Sequence, residues 1–206
     1  MTVYDELVAR GLIAQVTDEE EIIAKHFIDS LTILKYIKDD YTMIDVGTGA
    51  GFPGLPIAIS SKAEVTLLDS LNKRVNFLNS ISNELELKNV NTVHGRAEEM
   101  GVNQKYREKY DIAVSRAVAP MNVLVEYLLP FVKIGGICIC MKGPKADEEL
   151  KEAKRAIKLL GGEIIKQEKL KLDNEKMERN LIIIKKVSTT AKKYPRKPGM
   201  PAKQPL

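Results

Sequence analysis

The chain has 206 residues, of which 44% are hydrophobic and 29% charged, with two cysteines, two histidines and a formal net charge of +4. These proportions belong to a globular chain and exclude collagen-like, disordered and disulfide-stapled classes. The most apolar stretch, residues 117–141, is broken by Pro120, Glu126, Pro130, Lys133 and the pair Gly135-Gly136, so no membrane span is expected. Asp5, Glu6 and Arg10 interrupt any apolar start, so no signal peptide is expected either, and the expected compartment is the cytoplasm.

Residues 2–38 are expected to be helical. Ile22, Ile23, Phe27, Ile28, Leu31 and Leu34 recur at helical spacing, with Thr17 or Asp18 as a cap. A short apolar run, 43–46, then enters Gly47-Thr48-Gly49-Ala50-Gly51-Phe52-Pro53-Gly54. A short helix over 55–60 follows, then a strand over 64–68 ending at Asp69, and an amphipathic helix over 71–85. Strands are expected at 89–93, 110–115 and 136–141, with helices at 122–132 and 146–160. Residues 163–172 and 180–186 read as a closing antiparallel pair joined by a charged loop.

This alternation predicts βαβ units: an α/β fold with a mostly parallel sheet and helices on both faces. The expected division is a helical segment over 1–38, the sheet domain over 39–187 and a tail over 188–206. The stretch 187–206 carries Lys192, Lys193, Arg196, Lys197 and Lys203 and no acid. Such a basic tail suits a polyanionic partner, and equally a solvated segment that aids solubility. Cys138 and Cys140, at i and i+2 of a strand, share one face and read as free buried thiols. No His or Cys cluster has metal-ligand spacing, so no metal is expected.

In open sheets of this kind ligands bind beyond the carboxyl ends of the strands, which makes residues 45–54, 69–72, 95–99, 115–119 and 142–145 the candidates. Two cofactors compete for the Gly-rich loop. Gly49 to Gly54 matches the dinucleotide pattern G-x-G-x-x-G, a weak signal alone. The turn, however, starts at Gly47, so Gly47, Gly49 and Gly51 read G-x-G-x-G, and Pro53 removes an amide that a pyrophosphate would want. Asp45, ending the first strand, opposes a diphosphate and suits a cation. S-adenosylmethionine carries an ammonium and a sulfonium and no phosphate, and it is the favoured cofactor. Asp69 is placed to accept from ribose hydroxyls, and Ala97-Glu98 to frame an adenine; a solvated helix start explains Glu98 equally well.

The segments His26-Phe-Ile-Asp-Ser-Leu31, Asp45 to Gly54, Leu68-Asp69-Ser, Lys73-Arg74, Arg96-Ala-Glu-Glu99, Ser115-Arg116-Ala117, Met141-Lys142-Gly143 and Pro195 to Leu206 stand together in an order that resembles one family. It is the small-subunit ribosomal RNA guanine-N7 methyltransferase G family, also called glucose-inhibited division protein B. The resemblance runs over about residues 17–206.

It implies a Rossmann-like class I S-adenosylmethionine-dependent methyltransferase acting on N7 of a guanine in a 16S ribosomal RNA hairpin loop near the decoding centre. The implied partner is 16S ribosomal RNA or the small ribosomal subunit, with no membrane and no metal. Cofactor contacts carry over to Gly47, Phe52, Ala97, Glu98 and Arg116, with Asp69 at the ribose. Arg96, Arg116 and Lys142 match positions linked to RNA binding or activity. One departure is the start: family members begin with a longer helix and an Asn-Leu-Thr-like segment, where this chain has Gly11-Leu12-Ile13. A methyltransferase for a small molecule or protein, and a catalytically weakened RNA-binding homologue, are the alternatives.

Overall fold

The structure is a computed structural model and describes residues 23–172 and 177–206. The strands β1 (Thr42–Val46), β2 (Glu64–Asp69), β3 (Val90–His94), β4 (Tyr110–Arg116), β5 (Val132–Lys142), β6 (Gly162–Leu172) and β7 (Met177–Lys186) form one sheet in the order β3-β2-β1-β4-β5-β7-β6. Neighbours among β1 to β5 are parallel, and β7 runs antiparallel to both β5 and β6. The helices are α1 (Asp29–Leu31), α2 (Gly54–Ser60), α3 (Asn72–Glu84), α4 (Ala97–Met100), α5 (Met121–Leu128), α6 (Ala146–Leu159) and α7 (Met200–Lys203).

Successive strand residues face opposite sides of a sheet, and here both sides are apolar. Met43, Ile112, Val114, Ile139 and Met141 pack under Leu55, Ile57, Phe77, Leu78 and Ile81 of α2 and α3. Their neighbours Ile44, Ala113, Cys138 and Cys140 pack under Leu124, Leu128, Leu150, Ala153 and Ile157 of α5 and α6. Burial on both sides is why the central strands read as continuous apolar runs. The two thiols lie on one face with sulfurs 3.7 Å apart, and burial pushes the Cys138 thiol well up.

Three expected elements differ. The helical stretch expected over residues 2–38 is, in its described part, a π-helical turn (Ile23–Ile28), the single turn α1 and a 3₁₀ turn (Leu34–Tyr36). Ser30 and Thr32 hydroxyls donate to the carbonyls of His26 (2.5 Å) and Asp29 (2.6 Å), competing with the regular ladder. The helix expected over 122–132 stops at Leu128 because Pro130 brings no amide, and a 3₁₀ turn (Leu129–Phe131) leads straight into β5, which is longer than expected. Strand β7 begins at Met177, and residues 173–176 of the expected loop lie outside the described residues.

The basic tail is docked along part of its length. Arg107 donates to the carbonyls of Gly101, Thr190, Ala191 and Tyr194. Arg196 makes a two-pronged pair with the fully buried Glu126, Nε to Oε1 at 2.9 Å and Nη2 to Oε2 at 2.6 Å. The Gly199 amide donates to Glu98 Oε1 at 2.9 Å. Lys192, Lys193, Lys197 and Lys203 stay exposed.

Candidate functional site

From β1 the sheet extends through β2 to β3 on one side and through β4 to β5 on the other. That reversal opens a crevice at the carboxyl ends of β1 and β4. Two adjoining cavities lie there, of about 440 and about 190 Å³, sharing Gly47, Asp69, Ser70 and Val118. His26, Gly49, Phe52, Arg74 and Arg116 line the larger; Gly95, Arg96, Ala97, Glu98 and Tyr127 line the smaller. A separate cavity near Thr42, Glu64 and Tyr110 opens by the strand starts, away from this crevice.

The glycine loop leaves β1 with φ +72° at Gly47, and the Gly47 and Thr48 amides both donate to Leu68 O (2.8 and 3.1 Å). A Cβ at Gly47 would lie 2.7 Å from Val118 Cγ2, so a side chain there meets the far wall of the crevice. Gly54 is needed for another reason: its Cβ would fall 2.2 Å from Leu67 Cδ2 and 2.9 Å from Asp45 Oδ2. The fourth glycine thus serves close packing of α2 on the strands, which accounts for the literal dinucleotide match. Gly51 is buried against Leu55 and Leu78 and lines neither cavity.

Asp45 is fully buried. Its Oδ2 accepts from the Thr48 hydroxyl (2.7 Å) and the Gly54 amide (2.9 Å), while Oδ1 is buried with no hydrogen-bond partner among the described residues. Burial lifts its carboxyl to about 6, against those two bonds and the Arg116 charge. Asp69 Oδ2 accepts from the Gly49 amide (2.9 Å) and Arg74 Nη1 (3.3 Å), and Oδ1 from the Leu71 amide (2.9 Å).

Arg116, the last residue of β4, donates from Nη1 to Asp29 Oδ2 (2.9 Å) and Lys25 O (3.0 Å). Its guanidinium carbon lies 5.5 Å from the centre of the Phe52 ring, which also meets the rings of His26 (5.1 Å) and Phe27 (5.3 Å). Asp29 is fully buried and takes Arg179 Nε at 3.1 Å on both oxygens. Burial first, then Arg116, lowers the His26 pKa, so its ring is neutral at pH 7.

The family model described as rRNA small subunit methyltransferase G, GidB, matches residues 7–182. The chain belongs to this family. It is 54% identical over 194 residues to the ribosomal RNA small subunit methyltransferase G of Alkaliphilus metalliredigens, covering 93% of this chain and 81% of that protein. Among solved structures, Pyrococcus horikoshii TYW2 in complex with MeSAdo superposes with a TM-score of 0.61 at 18% identity, covering 77% of this chain and 61% of that one, so the match spans under two thirds of its length. An rRNA methylase from Streptococcus thermophilus gives 0.55 at 16% identity, covering 78% and 95%. The fold is that of the Rossmann-like class I S-adenosylmethionine methyltransferases, as the sequence led one to expect. The family member described here is an S-adenosylmethionine-dependent ribosomal RNA methyltransferase.

The residues present fit that cofactor. Asp69 lines both cavities and favours a cation, and the Gly47–Gly49 backbone leaves the crevice open; Asp45 lies beneath and lines neither cavity, with its buried Oδ1 lacking a donor among the described residues. Arg96 is exposed on the rim of the smaller cavity, and Ala97 and Glu98 line it. Lys142 stands apart. Its buried ammonium donates to Ala119 O (2.6 Å) and pairs with Glu149 (2.7 Å), which also accepts from the Met121 amide (2.9 Å). It braces the 117–121 loop and lines neither cavity.

The cationic residues of the α6 face, Lys151, Lys154, Arg155 and Lys158, are exposed. Sequence reasoning missed Asp29, Arg179 and His26 as parts of the site; the one signal for two of them was the His26–Leu31 segment. No helix among the described residues is long and apolar enough to cross a membrane.

Proposed function

We propose that this family member methylates N7 of a guanine in a 16S ribosomal RNA hairpin loop near the decoding centre, in the cytoplasm, on the RNA or on the small subunit. The observation that supports it best is the position of Arg116. One guanidinium stands where the acid-bearing crevice meets the Phe52 and His26 rings, and that wall is open to solvent. A purine stacked there would sit beside the crevice.

Gly47, Gly49, Phe52 and Arg116 would hold the cofactor, with Asp69 on the ribose hydroxyls and Ala97 and Glu98 at the adenine. Gly51 and Asp45 would act from beneath: Gly51 by keeping the loop close to α2 and α3, Asp45 as the anion that favours a cationic ligand. When bound, S-adenosylmethionine supplies an electrophilic methyl group on a positively charged sulfur. Guanine N7 has an in-plane lone pair and no proton, so no residue has to act as general base. The protein's work is then positioning, with reacting atoms about 3 Å apart.

Positive charge moves onto the guanine as the methyl transfers, so cationic side chains belong on phosphate or O6 and away from N7. Arg116 and the rim residue Arg96 are suited to that, and the neutral His26 ring adds no charge. Lys142 contributes through the loop that carries Val118 into both cavities, as a positioning residue.

The test is incubation of the chain with labelled cofactor and small ribosomal subunits from a strain lacking this modification, followed by mapping. Label at N7 of one 16S guanine is expected. Label on a protein or small molecule instead, or cofactor binding with no transfer to any RNA, overturns the reading.

A further inference from the structure

Asp29 sits on the segment that precedes the sheet, yet its carboxylate is fully buried and faces two guanidinium groups from distant strands. Arg116 reaches it from the end of β4 and Arg179 from the start of β7. Arg116 also lines the larger cavity, and Asp29 does not. The three side chains carry a net charge of +1, and the member nearest the ligand is a cation.

That arrangement has a cost for a cofactor whose reacting sulfur is positive. A bare guanidinium lining the crevice repels a sulfonium, and the repulsion is felt across several ångströms in a partly desolvated site. We propose that Asp29 is a specificity-determining residue: by compensating Arg116 it sets the charge of the crevice so that the sulfonium form of the cofactor is accepted. This rests on the reading that the crevice beside Arg116 holds the cofactor. Asp69 in the crevice and Asp45 beneath it add negative charge, but both are tied to the glycine loop, whereas among the described residues Asp29 is the carboxylate that pairs with Arg116.

S-adenosylmethionine and S-adenosylhomocysteine provide a direct probe, because they differ by one methyl group and the charge on sulfur. Their dissociation constants for the full chain, measured by calorimetry at low salt, give a ratio that isolates that charge. Asp29→Asn keeps the shape and raises the cluster to +2. It should weaken S-adenosylmethionine about tenfold more than S-adenosylhomocysteine. Arg179→Gln lowers the cluster to zero and should move the ratio the opposite way, towards the charged ligand.

Equal weakening of both ligands by Asp29→Asn would mean a packing role only and would overturn the proposal, as would an unmoved ratio in both variants. If Asp29→Asn does not fold, the Arg179→Gln ratio decides alone, and no shift there overturns it. Wild-type chain that binds neither ligand would instead defeat the reading of the crevice on which the proposal rests.

Discussion

The Gly49 amide donates to Asp69 Oδ2 at 2.9 Å, so the carboxylate that ends β2 also braces the loop that leaves β1. Asp69→Ala removes both the brace and the proposed ribose acceptor. The dissociation constant for S-adenosylmethionine should rise by a factor equivalent to about 1–3 kcal/mol, the range for a buried polar group left unpaired. Calorimetry measures it; an unchanged constant takes Asp69 out of the site.

Arg116→Ala should abolish methyl transfer to ribosomal RNA. Arg116→Lys should not restore it, because an ammonium lacks the planar face that the guanidinium presents beside the Phe52 ring. Incorporation of labelled methyl into small subunits is the readout. Normal transfer by either variant would show that the residue is not part of the machinery.

Asp45 makes both stability and binding depend on pH. Its folded carboxyl is lifted to about 6 by burial, above the ordinary 3.8. A raised folded value means stability that is complete below about pH 4 and lost as pH climbs through about 6. Asp45→Asn, which stays neutral, should therefore gain stability relative to wild type between pH 4 and 7.5 in parallel denaturant titrations. Affinity for S-adenosylmethionine should move the other way, weakening in wild type as pH falls through about 6. His26, whose pKa burial lowers, gains charge as pH falls and acts in the same direction, so the Asp45→Asn profile should be flatter than wild type without being flat. Identical profiles would contradict the role given to Asp45.

Arg196→Ala leaves Glu126, fully buried in the intact protein, with the backbone amide of residue 196 as its one donor among the described residues. Breaking a buried pair by removing one partner costs about 3–5 kcal/mol, and the unfolding midpoint should drop accordingly. Adding Glu126→Gln should recover much of the loss, because no charge is then stranded. A loss below about 1 kcal/mol would show that the tail is not anchored there.

Cys138→Ala should leave methyl transfer near wild type and lower stability by about 1 kcal/mol, since it empties a small volume in the core and Cys138 lines neither cavity. A large fall in transfer would give the thiol a role the structure does not suggest.

The parts of this molecule governed by local pattern could be read from the chain. Alternation of apolar strands and amphipathic helices announced the sheet, and Gly47, Gly49 and Asp69 pointed to the crevice that they line, because each acts within a few residues of where it stands. What could not be read depends on partners far along the chain. Asp29 looks like an ordinary polar position in a helical pattern until Arg116 and Arg179, 87 and 150 residues later, arrive beside it. Lys142 has a substrate-facing position in sequence, yet Ala119 and Glu149 hold its ammonium. The tail reads as free positive charge because nothing in a run of Lys, Arg and Pro reveals that Glu126 and Glu98 are its acceptors.

Gly199 lies beyond every strand among the described residues, and its amide holds Glu98 in the wall of the smaller cavity. Clipping the chain after β7 would therefore keep all seven strands and still strip a bond from that wall, so ligand affinity would register the damage before the sheet did.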